Sequence, residues 1–119
     1  DPSWQPTFDY QWDLKVMNLP SAWDIPTPNQ VLVAVIDTGI DYTHPEFGSC
    51  TLAQVNANTC AKIAPGWDFI NNISDPKDID GHGTHVSGTI AATSNNSIGI
   101  AGIAPNARII PLKGLENGQ

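Results

Sequence analysis

Charge is scarce in this chain, and positive charge scarcest. Only 14% of the residues are charged, and five Lys plus Arg stand against twelve Asp plus Glu, a formal charge of -7. So few cations form no basic patch to neutralise phosphates, which argues against nucleic acid as a partner and against anionic membrane surfaces. No apolar run reaches 18 residues, so no segment reads as a membrane-spanning helix. Internal repeats and low-complexity tracts are absent. The chain opens Asp1-Pro2-Ser3-Trp4, with neither a methionine nor a charged-then-apolar leader; a removed leader or a longer precursor is expected. Cysteine occurs twice, at Cys50 and Cys60. A disulfide closing that short loop would imply an oxidising compartment outside the cytoplasm; the alternative is two free thiols. The disulfide is preferred, because two exposed thiols ten positions apart would be a liability.

The 119 residues, 40% of them hydrophobic, suffice for one domain with a modest core. Residues 1–30 hold five prolines and three of the four tryptophans. They read as an extended N-terminal arm packed on the domain, with one short helix near Ser21–Asp24 and Ser21 as its N-cap. Val31-Leu32-Val33-Ala34-Val35-Ile36 is an unbroken apolar run without alternation, the pattern of a central parallel strand covered on both faces. Residues 48–61 are polar and non-periodic and read as a surface loop. A shorter strand is expected around Gly66–Ile70, a buried helix from His82 to Thr93, and a third strand over Ala107–Leu112. Strand, helix, strand with glycine-containing connections is the βαβ pattern of a parallel sheet.

In open parallel sheets functional groups gather at the carboxyl edge of the strands. Asp37 follows the apolar run at that edge, where a buried carboxylate needs hydrogen-bond donors; the backbone of Thr38 and Gly39 can supply them. Taken alone, such an Asp more often caps a turn. The second segment, Asp80-Gly81-His82-Gly83-Thr84-His85-Val86-Ser87-Gly88, puts His82 between two glycines where a helix begins. The positive end of a helix dipole would favour the neutral, base-competent imidazole. Alone, His82 would more often be structural.

Together the two segments resemble the subtilisin-like serine peptidases, or subtilases. Val33-Ala34-Val35-Ile36-Asp37-Thr38-Gly39-Ile40-Asp41, followed by His44-Pro45-Glu46, is similar to the family's aspartate motif. His82-Gly83-Thr84-His85-Val86-Ser87-Gly88-Thr89 is similar to its histidine motif, with Ser87 where alanine is commoner. Gly66-Trp67-Asp68-Phe69 and Asn95 through Pro105 also fit, so the resemblance covers the chain from about Gln5. It implies an α/β fold: a three-layer sandwich with a mostly parallel central sheet, incomplete in this chain. Asp37 becomes the orienting acid and His82 the general base of an Asp-His-Ser relay, and His85 a packing residue of the helix. A metal pair of His82 and His85 is the rival, disfavoured because no cysteine or third histidine lies in motif.

The family's nucleophile and its oxyanion asparagine lie in later motifs that this chain does not contain; its seven serines, at 3, 21, 49, 74, 87, 94 and 97, stand in other contexts. Residues 31–119 are therefore expected to be the N-terminal part of a larger peptidase domain, inactive alone, acting on proteins or peptides once joined to the remaining C-terminal part. A removed propeptide and a secreted, extracellular location follow from the same resemblance. So does one structural calcium ion held by Gln5, Glu46, Asn96 and the carbonyls of Thr93, Ile98 and Ile100, an oxygen-only set that suits calcium. A second site around Asp68, Asn71 and Asp75 is set aside because Ile73 stands where a carboxylate is expected, and Asp75, Asp78 and Asp80 read as a solvated turn. The rival from another class is a non-catalytic pseudo-protease or calcium-stabilised binding module retaining the fold. The stretch 48–61 lengthens the spacing between Asp37 and His82 at little entropic cost.

Overall fold

The computed structural model describes residues 4–5, 8–26 and 30–117, with backbone only at 4–5 and 8–9. Two short strands, β1 (Trp4–Gln5) and β2 (Phe8–Asp9), pair antiparallel. Two short helices follow, α1 (Trp12–Val16) and α2 (Leu19–Trp23), where the sequence pointed to one. The N-cap of α2 is Asn18, in the left-handed region at φ 59°. Ser21 is no N-cap: its position lies inside the helix, and its hydroxyl donates back to Asn18 Oδ1 at 3.0 Å. Asn tolerates left-handed backbone far better than Ser, which moves the start of the helix three residues back.

The sheet is parallel, in the order β3 (Leu32–Asp37), β5 (Arg108–Lys113), β4 (Trp67–Asp68). Asp37 and Asp68 both stand level with Lys113 at the carboxyl edge. Between β4 and β5 runs α4 (His82–Ala91), which packs on β3 and β5. Its buried positions are Gly83, Ser87, Gly88 and Ala91, small side chains that let the helix come close to the sheet. Val86 and Ile90 fill its flanks against the core, which is built around Val35, Ile40, Phe47, Val55, Ile63 and Ile109. Thr93, assigned to the helix by its spacing, lies past the helix end.

Two expectations are corrected here. The first strand is not central: β5 occupies the middle, and β3 hydrogen-bonds on one side only among the described residues. Nor is it covered on both faces, since Leu32 and Ile36 are 56% and 72% exposed while Val35 and Asp37 point into the core. An apolar run shows that both faces are compatible with burial, not that the partners are present. The stretch 48–61 is also more than a surface loop. Cys50 and Cys60 form a disulfide, and between them α3 (Leu52–Asn56) starts on a capping box in which Thr51 and Gln54 bond reciprocally. Val55, Cys50 and Cys60 are buried in the main core, so this segment is anchored inward.

The N-terminal region reaches across the molecule through side-chain bonds. Gln11 is buried, and its amide donates to Ala101 O at 2.7 Å and accepts from Ala101 N–H at 2.9 Å. Trp23 Nε1 donates to Ile103 O at 2.8 Å.

Candidate active site

The strand β3 ends in Asp37, which its pleat turns into the core beneath α4. Its Oδ1 accepts the Thr38 N–H at 2.7 Å. Of the two backbone donors expected, Thr38 arrives and Gly39 does not. Gly39 serves another purpose: at φ +105° it turns the chain sharply, and a Cβ there would lie 2.3 Å from Pro76 O. On the facing helix a Cβ on Gly83 would lie 2.3 Å from Gly39 O. These two glycines let the aspartate turn and the start of α4 touch backbone to backbone.

That contact brings His82 to Asp37. The imidazole Nδ1 lies 2.8 Å from Oδ1 and 3.0 Å from Oδ2 of the carboxylate. Donation from Nδ1–H to the carboxylate leaves Nε2 with its lone pair, the state in which an imidazole takes a proton from an attacking group. The side chain of His82 is 67% exposed, whereas that of Asp37 is 12% exposed. Burial pushes the Asp37 carboxyl up, but the His82 bond and the Thr38 N–H outweigh it and hold it below its ordinary value. His82 moves the other way. Its hydrogen bond to Asp37 and that carboxylate's charge raise it, with smaller contributions from Asp80 and Asp78. The expectation that the helix terminus would favour the neutral ring is therefore corrected: the adjacent carboxylate dominates, being in direct contact.

Asp78 is the residue that the sequence reading missed. It is buried, and its carboxylate accepts five hydrogen bonds: to Oδ1 from Thr38 Oγ1, Asp80 N–H and Gly81 N–H, each at 2.9 Å, and to Oδ2 from Thr84 N–H at 2.9 Å and Thr84 Oγ1 at 2.5 Å. Burial alone would raise its pKa, but these donors bring it down to about 2. The solvated-turn reading holds for exposed Asp80 and fails for Asp78. The available signal was an Asp two and three residues ahead of backbone N–H groups at a helix start, the pattern of an Asx turn.

His85 is exposed, not a packing residue, and lines an open cavity with His44 and Ile79. Ser87 is fully buried within α4, away from the exposed imidazole of His82.

The residues assigned to a cation also converge in part. The Glu46 carboxylate is buried, at 4% exposure. Its Oε1 accepts the Ile100 N–H at 3.0 Å and its Oε2 the Asn96 Nδ2 at 3.1 Å, while its backbone carbonyl accepts from the Thr93 hydroxyl at 2.9 Å. Ile98 joins through its N–H to Asn96 Oδ1 at 3.2 Å. The Gln5 side chain lies outside the described residues. Asp68 closes a turn of its own, accepting from Ile70 N–H and from both amide groups of Asn71.

A carboxylate-oriented imidazole at the carboxyl edge of a parallel sheet can take up and return a proton. Residues 28–119 match the model of the Subtilase family, and the chain belongs to that family. It is 44% identical over 100 residues to the thermophilic serine proteinase of Bacillus sp. (strain AK1), an alignment covering 82% of this chain and 22% of that protein. With thermitase of Thermoactinomyces vulgaris it shares 38% identity over 107 residues, 90% of this chain and 34% of that one. Among solved structures it superposes on a protease from Pseudoalteromonas arctica PAMC 21717 with a TM-score of 0.68 at 36% identity, covering 92% of this chain and 38% of that one. The chain thus spans about a third or less of the length of these curated relatives.

Proposed function

We propose that this chain is the N-terminal part of the catalytic domain of a secreted serine endopeptidase, bearing two members of an Asp-His-Ser relay. The observation that carries the reading is the contact of His82 Nδ1 with the Asp37 carboxylate. Asp37 holds the Nδ1–H tautomer and stabilises the imidazolium. His82 Nε2 takes the proton of a serine supplied by the rest of the protein, and returns it to the leaving amine after acylation. Proteins or peptides are the substrates, and the serine proteinases among the relatives support this class.

The rest of the domain has a place to dock. β3 has no ladder partner on its outer side among the described residues, and Leu32 and Ile36 on one face of it are exposed, as is Val31 just before it. Such an edge demands cover, and further strands of the same domain would supply it. A propeptide removed on maturation belongs to the same reading. The disulfide supports an extracellular location, and among the described residues no helix is long and apolar enough to cross a membrane.

Calcium fits the cluster around Glu46. That buried carboxylate forms no ion pair among the described residues and meets only neutral N–H donors. Asn96 Nδ2 and the Ile100 N–H face Glu46 and the Ile98 N–H takes Asn96 Oδ1, so calcium would require the Asn96 oxygen and the carbonyls of Thr93, Ile98 and Ile100 to turn inward, with Gln5 joining from the arm. Calcium would supply a positive charge in direct contact with Glu46, beyond the electrostatic interaction it has with Lys62, and clip the loop 93–100 to the domain.

The relay is tested on the full-length protein with a serine-directed phosphonate and a peptide substrate: labelling and turnover in the wild type, both abolished by His82→Ala, are expected. A full-length protein that takes no label and cleaves nothing would point to a binding module instead. For calcium, a melting temperature that falls with EGTA and recovers with added calcium is expected; an unchanged value overturns the assignment.

A further inference from the structure

We propose that Asp78 is the positioning residue of the Asp37–His82 couple, fastening the turn that bears the acid to the first turn of the helix that bears the base. The role rests on the peptidase reading above. Asp37 and His82 sit on different elements, and the bonds that join those elements beside them run through two hydroxyls. Thr38 Oγ1 donates to Asp78 and accepts the Gly83 N–H at 2.8 Å. Thr84 Oγ1 donates to Asp78 and accepts the Asp41 N–H at 2.9 Å. Each hydroxyl has one proton. Because Asp78 takes both protons, the lone pairs face Gly83 and Asp41, and the aspartate segment is bonded to the helix at two points.

One of those points joins the residue after Asp37 to the residue after His82. Misplacement of either partner is therefore limited from one residue away. The same carboxylate holds the N–H groups of Asp80 and Gly81, which shapes the entry into α4. The 2.3 Å separation between a hypothetical Gly83 Cβ and Gly39 O shows how little slack remains. Asp78 touches no reacting atom, so its effect passes through Asp37 and His82.

An Asn side chain cannot replace it. The carboxylate accepts on both oxygens, whereas an amide presents N–H groups on one side, and a donor then faces a donor. In the full-length protein, Asp78→Asn is expected to lower kcat by on the order of 10²-fold through misalignment, with KM unchanged. The acid limb of the kcat profile, and the His82 titration midpoint followed by NMR, should both move to lower pH. Asp37, Asp80 and Asp78 are the charged groups acting on His82, all raising its pKa; the variant removes one and loosens another. Thr38→Val should act in the same direction and Thr38→Ser should restore kcat and midpoint, a pair that decides the matter if Asp78→Asn does not fold. Variants that melt earlier yet keep the wild-type kcat and His82 midpoint would overturn the proposal, leaving Asp78 a scaffold residue. If the wild-type protein cleaves nothing, the peptidase reading fails, while the NMR midpoint still tests whether Asp78 sets the couple.

Discussion

Gly99 lies against Glu46 so closely that a Cβ on the glycine would fall 1.8 Å from Glu46 Oε1. Gly99 also has φ +53°, and Asn95 and Ser97 are left-handed too, at 64° and 63°. The loop therefore curls around a buried carboxylate that is held by Ile100 N–H and Asn96 Nδ2. Gly99→Ala would have to displace an oxygen already committed to those donors. Left-handed strain alone costs about 1–2 kcal/mol, and breaking a bond to a buried charged group adds about 1.5–3 kcal/mol. Urea unfolding of the protein should show a loss of at least about 2 kcal/mol; a loss below half that would mean that the loop can move away freely.

The motif residues Asp37 and His82 were legible because their neighbours are constrained: two elements can touch only where Gly39 and Gly83 stand, and that requirement leaves a pattern along the chain. The apolar run of β3 and the small-residue face of α4 were legible for the same reason. Asp78 was not, because a carboxylate that accepts five bonds and one that faces water look alike in an acidic turn. The pairing of Gln11 with Ala101 joins residues 90 positions apart through one amide, and no local pattern announces it. The exposed side of β3 misled for a different reason, since hydrophobicity shows which surface seeks cover and not whether the cover is present. α3 was missed although the Thr51 and Gln54 capping pair was there to be read; in a short helix only Val55 is fully buried, too little periodicity to stand out.

Acid should remove the contribution of Asp78. Its folded-state pKa of about 2 lies below the ordinary aspartate value of 3.8, so its stabilisation is fully present above pH 4 and is lost as the pH falls toward 2. A shift of that size corresponds to about 2 kcal/mol. The stability difference between wild type and Asp78→Asn should shrink by that amount between pH 5 and pH 2. Parallel stability curves over that range would show that Asp78 titrates normally.

Reduction of Cys50–Cys60 opens a loop with a sequence separation of 10. Loop-closure entropy puts the loss at about 2–3 kcal/mol, and the segment packs Val55 into the core. A fall in melting temperature on adding dithiothreitol, reproduced by Cys50→Ala with Cys60→Ala, is expected. An unchanged melting temperature would show that α3 and its capping box hold the segment without the bond.

If His82 is the general base proposed above, the direction of its shift sets the pH dependence of turnover in the full-length protein. Its pKa is raised above 6.5 by Asp37, and the general base must be neutral, so kcat/KM should fall as the pH drops through a midpoint above 6.5. Asp37→Asn removes the cause, and what remains of the activity should have its midpoint displaced to lower pH. An acid limb below 6.5 in the wild type would contradict the contact seen between the two side chains.

The same couple predicts how much activity each part commands. In subtilisin, loss of the serine or the histidine costs about 2 × 10⁶ in kcat and loss of the aspartate about 3 × 10⁴, and the peptidase reading proposed above expects the same order here. In the full-length protein His82→Ala should therefore be nearly silent, and Asp37→Asn should keep a small, measurable rate. On the reading proposed above, the 119-residue chain by itself should cleave no chromogenic peptide and take no phosphonate label, because none of its seven serines stands in the nucleophile motif and the one on α4, Ser87, is fully buried. Turnover by the purified chain, free of any second polypeptide, would require a nucleophile among its own residues and would overturn the relay assigned here.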